Sequence, residues 1–157
     1  MAKNNHTADL TNELIFRKYL LNHEQHRNYF EELNMPEYIA LHIISETASE
    51  ETIYSGKTYL KDLSDQMQLS IRQTSKIVAA LRDRRLVTWA HDGHGTNGTY
   101  SIITETGSQC IHHQEEKLRA FYGRVIEKYG TENMIRLLRM MKELETVMSS
   151  ELEEMEA

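Results

Sequence analysis

Proline occurs once in this chain of 157 residues, at Pro36, and apolar residues recur at three- and four-residue intervals through most of its length. That pairing restricts the fold more than any other feature. A chain so poor in helix breakers, with that spacing, folds by burying one face of successive helices. The periodicity predicts a first helix from about Leu10 to Leu33, with Leu10, Leu14, Leu21 and Phe30 among its apolar positions. "NMPE" (34–37) breaks it, and Pro36 suits the first turn of a second helix near 36–48, expected to bury Ile39, Leu41, Ile43 and Ile44. The polar stretch "SETASEETIYSGKT" (45–58) reads as an extended loop. Its SGKT resembles the end of a phosphate-binding loop, but the glycine required five residues before Gly56 is replaced by Glu51.

Two short helices follow. The first, about Leu60–Gln68, places Leu60, Leu63 and Met67 on one side. After a tight turn, Ser70 and Gln73 supply the S-x-x-Q pattern of a capping box, which marks the start of the second. Thr74, Ile77, Val78 and Leu81 form its buried stripe, while Arg72, Gln73, Ser75, Lys76 and Ala79 point outward. Two β-prone runs come next, "LVTWA" (86–90) and "TYSII" (99–103). They are joined by "HDGHGTNG", whose glycines at 93, 95 and 98 permit a hairpin. Thr104 is placed to cap a long helix to about Tyr129. Gly130 ends that helix and Thr131 is expected to cap the last one, where Met134, Leu137, Met141, Leu144, Met148 and Met155 keep the three-to-four spacing. The fold class is therefore all-α with a small β-wing.

Charge is distributed unevenly along this order. The formal net charge is −6, yet residues 143–157 hold six glutamates and no Lys or Arg, so the rest of the chain is neutral overall. Within that neutral part, "LSIRQTSKIVAALRDRRLV" (69–87) gathers Arg72, Lys76, Arg82, Arg84 and Arg85 against one acid, Asp83. A helix, a tight turn, a basic helix and a hairpin form the order of a winged helix–turn–helix. The outer face of its second helix carries Arg, Gln, Ser and Lys, the side chains that hydrogen-bond phosphates and base edges in a major groove. Small residues at Ser75, Ala79 and Ala80 leave room for close approach.

The layout resembles the MarR (multiple-antibiotic-resistance regulator) family of bacterial transcription factors over nearly the whole chain. "MPEYIALHII" is similar to that family's second helix, "LSIRQTSKIVAALRDRRLV" to its recognition helix and wing entry, and "ITETG" (103–107) to the LTxxG-type stretch after the wing. The resemblance implies a homodimeric DNA-binding transcriptional regulator, in the repressor mould, on a pseudo-palindromic operator. Residues 1–35 and 105–157 would be dimerisation helices and 36–104 the winged-helix DNA-binding part of one domain. Double-stranded DNA, a second copy of the chain and a small-molecule effector are the implied partners. Ser70, Arg72, Gln73, Ser75 and Lys76 are expected in the major groove, Arg82, Arg84 and Arg85 on phosphates, and His94 at the wing. His23, His26, Tyr29, Tyr38 and His42 are expected near an effector pocket. This chain departs from the family at two points. The wing's Asp-x-Arg motif is here Asp92-Gly93-His94, with no Lys or Arg anywhere in 86–103, and Arg85 stands where relatives have glycine. A winged-helix dimer of weakened DNA affinity, serving as a ligand- or protein-binding module, is the alternative that the uncharged wing motivates.

Other chemistry finds less support in the residues. His91, Asp92 and His94, and Cys110, His112 and His113, form clusters without the spacing of a tetrahedral zinc motif, so neither a metal nor any other cofactor is expected, and a metal-responsive regulator ranks last. Cys110 is the only cysteine and has no resolving partner in the chain. No nucleophile–base or paired-carboxylate pattern emerges, so binding rather than catalysis is expected. No apolar run approaches the ~20 residues of a membrane span. With a polar N-terminus and a single cysteine, a cytoplasmic protein is expected.

Overall fold

Residues 70–73 show how local sequence becomes structure here. Ser70 Oγ accepts from the Gln73 backbone N–H at 3.1 Å, while Gln73 Oε1 accepts from the Ser70 N–H at 3.0 Å, a complete capping box. It opens the helix Ile71–Asp83. In the computed structural model, which describes residues 2–22, 32–49, 56–93, 95 and 98–157, that helix is the fourth of six. In chain order the elements are α1 (Ala2–Leu21), α2 (Met35–Ser49), β1 (Thr58–Tyr59), α3 (Leu60–Met67), α4 (Ile71–Asp83), β2 (Val87–His91), β3 (Thr99–Ile103), α5 (Glu105–Tyr129) and α6 (Thr131–Glu156). This is the all-α fold with a small β-wing that the periodicity predicts.

Several boundaries move. The first helix was expected from Leu10; α1 already begins at Ala2. Its described side chains are all exposed, so no buried stripe marks its start. Residues 23–31, which the sequence places in the same helix, lie outside the described residues. The expected loop 45–58 is shorter at both ends, because α2 runs on to Ser49 and Thr58–Tyr59 form a strand. On α2, Ala40, Leu41 and Ile44 are buried and Ile43 packs against the core, but Ile39 is 41% exposed, contrary to expectation. A second capping box, absent from the sequence reading, starts α2. Asn34 Oδ1 accepts from the Glu37 N–H at 2.9 Å, and Glu37 Oε1 accepts from the Asn34 N–H at 3.0 Å.

The chain divides into two compact units, residues 1–115 and 116–157. In the first, the core joins Leu33, Ala40, Leu41, Ile44, Leu63, Val78, Leu81, Leu86, Val87 and Ile111. Each large aliphatic side chain buried there contributes about 1.5–3 kcal/mol. The sheet is antiparallel in the order β1-β3-β2, with Thr58 opposite Ser101 and Tyr59 opposite Tyr100. Across the hairpin, Val87 pairs with Ile103 and His91 with Thr99. Thr58, Ser101 and Val87 are buried, and Trp89 and Ile103 pack against the core, so these residues define the inner face of the sheet.

In the second unit, α5 ends at Tyr129 and α6 begins at Thr131. Thr131 does not cap α6. Gly130 holds the cap position at φ 101°, a left-handed conformation that glycine adopts freely, and it makes no side-chain cap bond. Instead, Asn133 Nδ2 donates to the Tyr129 carbonyl at 2.8 Å across the corner. No residue of α6 is buried.

Candidate nucleic-acid interface

The outer face of α4 carries the predicted contact residues. Thr74, Val78 and Leu81 are fully buried and Ile77 is half-buried, which leaves Arg72, Gln73 and Lys76 exposed on the opposite side. Arg72 and Lys76 are one turn apart on the same stripe. Among the described residues neither has an acidic partner, so both charges face solvent. Ser75 and Ala79 are half-buried beside them. Ser70 is exposed, but its hydroxyl belongs to the capping box, as does Gln73 Oε1. Gln73 therefore keeps its amide N–H donors for a ligand but has its oxygen engaged, which weakens it as a bidentate reader of adenine.

The turn after α4 orders the remaining basic residues. Leu86 N–H donates to the Leu81 carbonyl at 3.0 Å and Arg85 N–H to the Arg82 carbonyl at 2.8 Å, the paired bonds of a Schellman ending. Such an ending needs a left-handed residue at Arg85, and Arg85 has φ 62°. The α3 helix ends the same way at Gln68, φ 53°, with Leu69 N–H on the Ser64 carbonyl and Gln68 N–H on the Asp65 carbonyl. Arg85 thus adopts a conformation that favours the glycine relatives have there, and its side chain stays exposed. Arg82 lies over the Trp89 ring at 5.5 Å and 3.4 Å from Asp83. Arg84 sits 3.9 Å from Glu37, whose other oxygen caps α2. Two of the three presumed phosphate ligands therefore have partners within the fold.

"ITETG" secures this turn from the other side. Thr104 Oγ1 donates to the Arg85 carbonyl at 2.7 Å, with the Leu86 carbonyl at 3.0 Å, and accepts from the Gly107 N–H at 3.0 Å. Gly107 packs so closely that a Cβ there would lie 2.0 Å from the Leu86 carbonyl oxygen. The motif fastens the start of α5 to the entry of the wing.

At the hairpin, His91 Nδ1 accepts from the Gly93 N–H at 2.9 Å and its Nε2 donates to the Gly95 carbonyl. His94 lies outside the described residues. Of the expected effector residues, Tyr38 and His42 are brought together on α2, with rings 6.1 Å apart and stacked. His42 Nδ1 pairs with Glu115 Oε1 of α5 at 2.9 Å, a partner that sequence spacing did not reveal. His23, His26 and Tyr29 lie outside the described residues. On α5, Cys110 Sγ–H donates to Glu32 at 3.8 Å, and His113 approaches the same carboxylate at 3.9 Å. Burial, and then the Glu32 charge, push the Cys110 thiol up from its ordinary pKa. Among the described residues no three His, Cys, Asp or Glu side chains converge as a metal site, and no helix is long and apolar enough to cross a membrane.

Solved structures of the same architecture include a MarR family protein from Bacillus stearothermophilus, 21% identical, with 93% of this chain and 97% of that one covered at a TM-score of 0.61. The fold is MarR-like. The PcaV transcriptional regulator from Streptomyces coelicolor, in complex with its natural ligand, is 14% identical, with 90% and 92% covered at a TM-score of 0.68. NadR in complex with 4-hydroxyphenylacetate is 17% identical, with 90% and 98% covered at 0.65. No family model and no curated protein matches the sequence. At these identities the likeness is one of fold. It places α3 and α4 of this MarR-like chain as the helix–turn–helix and β2–β3 as the wing.

Proposed function

We propose that this chain is a homodimeric, DNA-binding transcriptional regulator, acting by reversible binding rather than by catalysis. One observation carries the reading: in a MarR-like fold, α4 presents Arg72 and Lys76 to solvent with no acidic partner among the described residues. A long cationic side chain on that stripe reaches base edges or phosphates of a major groove. Arg85 adds a phosphate contact at the helix end. Arg82 and Arg84, both exposed, add to that charge to the extent that Asp83 and Glu37 leave it unneutralised. Two of the similar structures hold small molecules, 4-hydroxyphenylacetate in NadR and the natural ligand in PcaV. By analogy, Tyr38, His42 and Glu115 are the residues we assign to effector sensing, through the link they make between α2 and α5.

The direct test titrates the DNA upstream of the protein's own gene by fluorescence anisotropy. Lys76→Ala is expected to weaken binding by about 1–3 kcal/mol per half-site. Trp89, the only tryptophan, reports independently, because drawing Arg82 from its ring onto a phosphate changes its emission. An unaltered affinity for Lys76→Ala would remove α4 as the recognition helix. A second reading, a ligand- or protein-binding module of weakened DNA affinity, is favoured by the acidic neighbours of Arg82 and Arg84 and by a hairpin without Lys or Arg. It takes over when the parent protein binds no duplex at low salt.

A further inference from the structure

The wing hairpin brings no strong cation of its own: residues 86–103 contain Asp92 and neither Lys nor Arg. The sheet, however, has a third strand. In register, Tyr59 of β1 lies opposite Tyr100 of β3, which in turn lies opposite Ala90 of β2. Directly paired residues share a face. Because Thr58, Ser101 and Trp89 occupy the inner face, Tyr59, Tyr100 and Ala90 occupy the outer one, with Thr88 and Ile102. Thr88 and Ala90 are exposed there. The two tyrosine rings meet edge to face at 5.8 Å. Lys57, immediately before β1, lays its ammonium over the Tyr100 ring at 4.7 Å.

That contact carries charge along the sheet. The backbone of Lys57 stands at the end of β1 nearest Ile102. Its ammonium is held at Tyr100, one pair inside His91–Thr99, where the hairpin turns. A lysine from outside the hairpin thus places a positive charge close to the wing's outer end. The face of an aromatic ring holds the ammonium without neutralising it, so the charge remains available to an anion.

We propose that Lys57, positioned by Tyr100, is a wing-borne contact to the DNA phosphate backbone, replacing the cation that the hairpin lacks. The inference rests on the DNA-binding reading and adds a residue that the sequence assigned only to a loop. A phosphate contact contributes to affinity without regard to sequence, and its loss lowers the salt slope by about 0.9 per contact. The test measures Lys57→Ala, Lys57→Arg, Tyr100→Phe and Tyr100→Leu on one specific and one unrelated duplex, across a range of salt. Lys57→Ala is expected to bind both duplexes several-fold more weakly, by a similar factor, and with a shallower slope, while Lys57→Arg restores both. Tyr100→Phe, which keeps the ring, should behave as the parent, and Tyr100→Leu should approach Lys57→Ala. If a folded Lys57→Ala protein, its Tm unchanged, keeps the parental affinity and slope, Lys57 does not contact DNA and the proposal fails alone. If the parent binds neither duplex at low salt, this proposal fails together with the DNA-binding reading.

Discussion

Arg85 shows how a single residue can serve one need at the expense of another. Its φ of 62° is forced by the Schellman ending of α4, and a side chain there costs stability that glycine would not. Thr104 offsets part of this by holding the Arg85 carbonyl. Arg85→Gly is therefore expected to stabilise the fold by about 1 kcal/mol, read as a higher urea midpoint with an unchanged m-value. The exposed Arg85 side chain is the phosphate contact proposed above, so the same variant should bind DNA less tightly. Cys110 makes a contrasting case. Burial, followed by Glu32, raises its pKa, so at neutral pH the fold holds a protonated, weakly nucleophilic thiol. The stability linked to that neutral thiol is fully present below the unfolded-state pKa and is lost as pH rises through the folded one. Alkylation by iodoacetamide at pH 8 should be slower than for a cysteine in an unstructured peptide. Glu32→Gln should speed it, and equal rates in the two proteins would exclude the carboxylate as a cause.

At the scale of elements, the wing is only as well placed as the joint between α4, β2 and α5. Three residues make that joint: Arg85 turns the chain, Thr104 bonds to the turn, and Gly107 allows α5 to press on the Leu86 carbonyl. The Leu86 backbone, with the Ile103 side chain beside it, meets any added Cβ at Gly107. Gly107→Ala is accordingly expected to destabilise by about 3 kcal/mol, measured as a drop in Tm, since the helix must shift bodily to accept one methyl group. A parental Tm would mean that α5 slides without cost. Glu37 makes a second joint, capping α2 with one oxygen and meeting Arg84 of α4 with the other. Both joints hold α4 at its C-terminal end, while its outer face stays open.

For the molecule as a whole, the exposed apolar surface is where the proposed dimer is tested. Ten large apolar side chains of α6 are exposed, from Ile135 to Met155, the last at 80%. On α1 seven more are exposed, among them Phe16 and Tyr19. In the proposed homodimer, a two-fold pairing with a second copy is expected to cover such apolar faces on both partners. Sedimentation at micromolar concentration should show a dimer. Met141→Glu, at a half-exposed position on α6, should shift it toward monomer without unfolding α3, α4 or the sheet. A parent that sediments as a monomer would remove the dimer from the proposed function.

What could be read from the sequence was what is decided within a few residues. The capping box at Ser70 and Gln73, the buried stripe of Thr74, Val78 and Leu81, and the two hairpin strands all depend on bonds or periodicity inside a short window. Their positions follow the sequence expectation closely for that reason. The strand at Thr58–Tyr59 does not, because two residues acquire strand geometry only by pairing with β3, whose sequence lies far away. The same holds for the partners of the basic residues. Composition counts Arg82, Arg84, Arg85 and Lys57 alike as cations. Only the packing of α4 against α2 and the sheet turns Arg84 to Glu37 and Arg82 to Trp89, and only the pairing of β1 with β3 lays Lys57 on Tyr100. The sequence determined which helix is basic; tertiary contacts, made between residues distant along the chain, decided which of its charges meet a partner within the fold and which charge from outside it is laid on the sheet.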